Sequence, residues 1–186
     1  MLNVNELRNG AVFQSDDNLY QVLVFEHIKT GRGSGNIKLK VKNLRTGSTT
    51  EKSFMTGARV EEANVQKKLT QFLYSDGESY NFMDPTTYDQ FTISAKIVGE
   101  QGKYLKDGLE VNLIISGEEA LSLELPNTVI YQIKDTGPGE RGNTVSNVYK
   151  DAVLENDLEV KVPMFMGVGE KIKIDTRSGE YVERVK

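Results

Sequence analysis

The sequence predicts an all-β protein. Short runs rich in Val, Ile, Phe and Tyr recur along its 186 residues, and turn pairs such as Asn9-Gly10, Asp76-Gly77, Asp107-Gly108 and Ser178-Gly179 separate them. That is the punctuation of strands and hairpins, whereas helical periodicity is sparse. In chain order the expected strands are Gln21 to Ile28, Lys38 to Asn43, Gln71 to Ser75, Tyr80 to Met83 and Glu110 to Ile115. Ala120 to Leu125, Val129 to Lys134, Leu158 to Val162, Lys171 to Asp175 and Tyr181 to Arg184 complete the set. Two places read as short helix: Asp84 to Phe91, where an Asp cap precedes Pro85 at a first helical position, and Gly99 to Leu105.

Between the first two strands lies the glycine-rich run Thr30-Gly31-Arg32-Gly33-Ser34-Gly35. Its glycines allow positive φ and close backbone approach, so Val22 to Ile28 and Ile37 to Val41 can be joined as a hairpin with Arg32 near the tip. Lys29 precedes the tip, and Lys38, Lys40, Lys42 and Arg45 follow it. A spacing of two puts residues 38, 40 and 42 on one face of a strand, so the hairpin carries a basic face ending in a projecting cation. The same residues also read as a solvated hairpin whose lysines protect a sheet edge.

Composition narrows the chemistry. Zero cysteines exclude disulfides, thiolate catalysis and cysteine zinc sites, and a single histidine, His27, leaves no basis for a histidine metal cluster. His27 beside Phe25 reads as a structural strand residue. Asp16-Asp17 and Asp84-Pro85 read as turn or cap carboxylates, and no metal or cofactor is expected. Gly137-Pro138-Gly139 lacks the strand-to-helix setting of a phosphate-cradling loop. The adjacent glutamates Glu61-Glu62 and Glu118-Glu119 would point to opposite faces of a strand, which argues against an enzyme built on paired carboxylates. No apolar run approaches the roughly 20 residues that span a bilayer, and the N-terminus lacks a signal-peptide pattern, so the expectation is a cytoplasmic protein with no membrane partner.

Net charge is −4, unevenly spread. Residues 1–64 carry 9 Lys and Arg against 7 Asp and Glu, residues 65–126 carry 5 against 10, and residues 127–186 carry 9 against 10. Local potential within a Debye length of about 8 to 10 Å decides a contact, so a nucleic-acid interface on the first third is compatible with the acidic total. The polar stretch Glu61-Glu62-Ala63-Asn64 and the interruption at Leu125-Pro126-Asn127 mark boundaries, dividing the chain into 1–64, 65–126 and 127–186. Blocks of about 60 residues with about five strands each suit small closed barrels; one longer β-sandwich is the alternative.

Four stretches stand in order over the full length: Lys42-Asn43-Leu44-Arg45-Thr46-Gly47 with Glu51-Lys52-Ser53-Phe54, Leu73-Tyr74-Ser75-Asp76-Gly77-Glu78 with Phe82-Met83, Val160-Lys161-Val162-Pro163, and Asp175-Thr176-Arg177-Ser178-Gly179-Glu180-Tyr181-Val182. In register, they resemble the bacterial elongation factor P family. The resemblance implies an N-terminal KOW-type, SH3-like barrel, two OB-fold barrels and an elongated, transfer-RNA-like outline. It implies a monomeric, non-enzymatic translation factor that binds the 70S ribosome between the P and E sites and relieves stalling at consecutive prolines. Arg32, flanked by Gly31 and Gly33, then reaches toward the peptidyl-transferase centre and the P-site peptidyl-transfer RNA. Lys29, Lys38, Lys40 and Lys42 contact RNA backbone.

The family's tip residue is a target of a modifying enzyme. A guanidinium offers no primary amine and stays protonated below about pH 12.5, which leaves Arg32 rhamnosylated or bare. Gly142-Asn143-Thr144 falls where the family reads Gly-Asp-Thr in a loop facing E-site messenger RNA. Asp157 stands in place of a usual glycine and Met166 in place of an aliphatic residue. The competing reading is a general single-stranded nucleic-acid binder, which would stack bases on aromatics; Lys29 to Arg45 contains none. A divergent member of the same family is a further alternative.

Overall fold

The computed structural model describes residues 1–28, 35–138 and 149–186. Its strands form three curled, antiparallel sheets, each with its own core. The first comprises β1 (Leu2–Asn3), β2 (Val12–Ser15), β3 (Asn18–Ile28), β4 (Asn36–Asn43), β5 (Thr49–Met55) and β6 (Arg59–Glu62), in the order β1-β6-β2-β3-β4-β5. The second holds β7 (Gln66–Ser75), β8 (Ser79–Met83), β9 (Gln90–Ser94), β10 (Glu110–Ser116) and β11 (Glu119–Glu124), ordered β11-β10-β7-β8-β9. The third runs β14 (Glu159–Pro163), β13 (Tyr149–Leu154), β12 (Thr128–Thr136), β15 (Lys171–Asp175), β16 (Tyr181–Val185).

Alternation along each strand builds the cores, since successive side chains point to opposite faces. In β4, Ile37, Leu39 and Val41 are fully buried against Phe13, Val22 and Val60, while Lys38, Lys40 and Lys42 face away. Phe72, Phe82, Ile93 and Leu113 centre the second core, and Tyr131, Ile133, Leu154 and Ile172 the third. Met166 sits in that third core and Phe165 beside it is exposed, so the methionine is accommodated as an aliphatic residue would be. Asp157 adopts φ +62°, the left-handed conformation a glycine takes freely, and its carboxylate accepts a 2.6 Å bond from Lys134.

Among the described residues helix is confined to one segment, α1 (Ala95–Val98) continued by a 3-10 turn over Gly99–Tyr104, apart from a single 3-10 turn at Val4–Glu6. Ser94 caps α1 by accepting the Lys96 N–H at 3.3 Å. The expected helix at Asp84 to Phe91 is corrected: residues 84–89 form a closed turn and β9 follows. Tyr88 takes φ +63°, which stops helical propagation after one turn.

The sheets are joined by specific contacts. Leu19, Leu44, Ala63, Ile114 and Leu121 bury together between the first and second. Gln21 donates to Glu124 at 3.3 Å across the same junction. Between the second and third, Lys106 reaches the Ile130 carbonyl at 2.7 Å and Glu155 at 2.8 Å, and Thr176 donates to the Pro126 carbonyl at 2.6 Å. The buried Tyr131 hydroxyl donates to the carbonyl of Tyr104.

Candidate functional site

The β3–β4 hairpin dominates the first sheet. Eight residues of the eleven-residue β3 pair with the eight of β4, from Tyr20 opposite Asn43 to Ile28 opposite Asn36, with a bulge between Val22 and Val24. A bulge adds twist and bends the strand. Beyond it β3 leaves the core: Leu23, Val24, Glu26, His27 and Ile28 are all exposed. The base of the connection is pinned, because Gly35 accepts a 2.9 Å bond from the Thr56 N–H. A Cβ on Gly35 would lie 3.0 Å from both the His27 ring and the Thr56 hydroxyl, so bulkier residues do not fit there without movement.

Arg32, Gly31, Gly33 and Lys29, the expected tip and its neighbour, lie outside the described residues, as do Gly142, Asn143 and Thr144. The hairpin's outermost described rung, Ile28 opposite Asn36, brackets the first group. Thr136 and Tyr149, at facing ends of β12 and β13, stand on either side of the second.

The remaining lysines share one face of β4 but not one environment. Lys38 pairs with Glu51 on β5 at 2.8 Å, and that hydrogen bond raises the lysine's pKa and lowers the glutamate's. Lys40 is exposed. Lys42 is half-buried, and its ammonium donates to the Ile97 carbonyl of the second sheet's helical segment at 2.8 Å. Burial pushes this amine down. The contact spans 55 residues of sequence, so no local pattern could have revealed it.

A groove of about 780 Å³ opens where the three sheets meet, lined among others by Lys42, Lys96, Glu100, Glu124 and Arg177. Its charges are of both signs. Among the described residues no cluster of three or more acidic or histidine side chains is placed to hold a metal ion, and no helix is long and apolar enough to cross a membrane.

Three family models match the chain in order. Residues 3–60 match "Elongation factor P (EF-P) KOW-like domain", 65–123 match "Elongation factor P (EF-P) OB domain" and 129–184 match "Elongation factor P, C-terminal". Elongation factor P of Pelotomaculum thermopropionicum is 41% identical over 185 residues, covering 100% of both chains. Among solved structures, eukaryotic translation initiation factor 5A from Methanococcus jannaschii superposes with TM-score 0.48 at 21% identity, covering 67% of this chain and 90% of that one. A translation initiation factor eif-5a family protein from Naegleria fowleri superposes with TM-score 0.38 at 16% identity, covering 67% and 96%. On the strength of the full-length sequence match, the chain belongs to the elongation factor P family of translation factors.

Proposed function

We propose that the protein binds the ribosome between the P and E sites and promotes peptide-bond formation at consecutive prolines by positioning the P-site peptidyl-transfer RNA. In this reading residues 1–64 form the KOW-like unit that carries the tip, and 65–126 and 127–186 form the two OB units. Arg32 between Gly31 and Gly33 reaches the peptidyl-transferase centre, Lys29, Lys38 and Lys40 meet RNA backbone, while Lys42, also expected there, is turned to the Ile97 carbonyl, and Gly142-Asn143-Thr144 faces messenger RNA. The observation that carries the reading is the 41% identity to an elongation factor P over the full length of both chains.

Physical chemistry supports a non-enzymatic route. Proline's ring restrains its amine, and a run of prolines stiffens the nascent chain, so geometry is the bottleneck of peptide transfer. Orientation of reacting groups alone can supply about 7 to 11 kcal/mol in favourable systems, which gives a factor without acid or base groups ample scope. The test is single-round translation of a message with three consecutive prolines, with unmodified recombinant protein and its Arg32→Ala variant. Relief by the first and not the second is expected. Persistent stalling with the first, under conditions where another family member gives relief, excludes a bare arginine; persistent stalling with protein from the native host as well overturns the reading.

A further inference from the structure

Among the described residues one turn occurs three times, once in each sheet. Asn43, Asp84 and Asp175 open the copies, and each donates its N–H to the carbonyl five residues on: Ser48 at 2.8 Å, Asp89 at 2.9 Å and Glu180 at 3.0 Å. Each accepts at its own carbonyl from the residue four on: Gly47 at 2.9 Å, Tyr88 at 2.9 Å and Gly179 at 2.8 Å. A side-chain oxygen of each accepts the N–H two residues on, from Arg45 at 2.9 Å, Thr86 at 2.7 Å and Arg177 at 2.8 Å. The residue four on has φ +73°, +63° and +77° respectively. Two copies therefore share the pattern Asn/Asp-x-Arg-Thr/Ser-Gly, and the middle copy ends in tyrosine.

The glycine copies press on opposite ends of the same helical segment, residues 95–104. A Cβ on Gly47 would lie 3.1 Å from the Lys96 carbonyl oxygen, and one on Gly179 would lie 2.9 Å from the Tyr104 hydroxyl. The middle copy presses on neither end, and its Tyr88 is 70% exposed. Glycine thus stands where the turn docks against another sheet, and a side chain stands where it does not.

We infer that Lys42 is a positioning residue: with Gly47 seated against the helical segment, its bond to the Ile97 carbonyl fixes the first sheet relative to the second and so aims the hairpin end that carries Arg32. The inference rests on the function proposed above. Among the described residues Lys42 has no carboxylate partner; its ammonium instead meets a carbonyl at the C-terminal end of α1, where the peptide dipoles favour a cation. A strand rises about 3.3 Å per residue, so the stretch from Lys42 to Asn36 is a lever of about 20 Å. A tilt of about 3° at the strut then moves its end by about 1 Å, a misplacement that can cost on the order of 100-fold in rate.

The test uses Lys42→Met, which keeps the stem and removes the donor, and Lys42→Arg, which keeps a donor. Because the chain has no cysteine, a Thr50→Cys, Glu159→Cys pair on exposed strands of the first and third sheets can be spin-labelled uniquely. Lys42→Met is expected to broaden or shift the inter-label distance distribution. It should lower the plateau rate of proline-stall relief about tenfold or more while the half-maximal factor concentration stays within about twofold. Lys42→Arg should recover the distribution and most of the plateau. An unchanged distribution and plateau in Lys42→Met overturns the inference, and so does a change in half-maximal concentration alone, which would make Lys42 an RNA contact. If the unsubstituted protein relieves no stall even when taken from the native host, the functional reading falls, and the distance distribution alone still decides whether Lys42 is a strut.

Discussion

At the residue whose φ is positive, the three copies of the turn make opposite demands on a side chain. A non-glycine residue in the left-handed region costs about 1 to 2 kcal/mol, whereas glycine costs about 0.5 to 1 kcal/mol through the freedom it loses on folding. Tyr88 is exposed and touches neither junction, so Tyr88→Gly should be neutral or stabilising by up to about 1 kcal/mol. Gly47→Ala incurs the left-handed cost and also sets a methyl 3.1 Å from a backbone oxygen that cannot swing aside. It should destabilise by about 1 to 2 kcal/mol. Calorimetric unfolding of both variants decides the point; equal shifts of the same sign would show that junction contact does not determine which residue the turn carries.

The turn of residues 84–89 sets the β8–β9 pairing, and its opening carboxylate ties the second sheet to pH. Backbone bonds from Thr86 and Thr87 and the Lys68 ammonium at 3.1 Å hold the buried Asp84 carboxyl down to about 2, with the Thr86 bond contributing most. A carboxyl whose pKa is lower folded than unfolded stabilises the fold above its unfolded value near 3.8, and that contribution disappears as pH falls through about 2. Asp84→Asn keeps the oxygen that accepts from Thr86 and Thr87, as Asn43 does in the first sheet, and loses only the charge. The melting-temperature gap between wild type and Asp84→Asn should thus be present at pH 7 and close between about pH 4 and pH 2. A gap constant over that range would sink the assignment.

This element also marks where strand prediction failed. Ser178-Gly179 announces its turn by composition, whereas Tyr88 hides the same geometry behind a residue type that rarely adopts it, and an Asp-Pro opening then reads as a helix cap. Sequence also did not predict β1, β2, β5, β6, β9 and β13, nor the start of β7. β5 is a sheet edge with little apolar alternation to read, whereas β9 alternates Phe91 and Ile93 with polar residues and is masked by the helix expected over Asp84 to Phe91, which overlaps its start. In β7 the pattern inverts: Thr70 is fully buried with its hydroxyl on the Val111 carbonyl at 3.2 Å, and its neighbour Leu69 is 49% exposed.

Across the whole molecule, two of the four stretches that carried the family resemblance, Lys42 to Gly47 and Asp175 to Val182, include the turns that hold one sheet to the next. Sequence therefore disclosed the family through residues that set its geometry, and Arg32 stands as the tip it led one to expect, outside the described residues. What it could not disclose was how the three lysines of β4 divide, since their partners come from other elements. That division predicts the salt dependence of ribosome binding under the proposed function. Each lysine neutralising a phosphate contributes about 0.7 to 0.9 to the slope of log affinity against log salt. Lys40 is exposed and free to do so in full, and Lys40→Gln should reduce the slope by about that amount. Lys38→Gln should reduce it by less, because binding RNA competes with the Glu51 pair at 2.8 Å. Lys42→Gln should leave the slope unchanged, its ammonium being turned to Ile97. Titrations of labelled protein into ribosomes at several potassium chloride concentrations would measure all three, and an equal loss of slope for each variant would mean that Lys42 leaves its carbonyl to meet RNA.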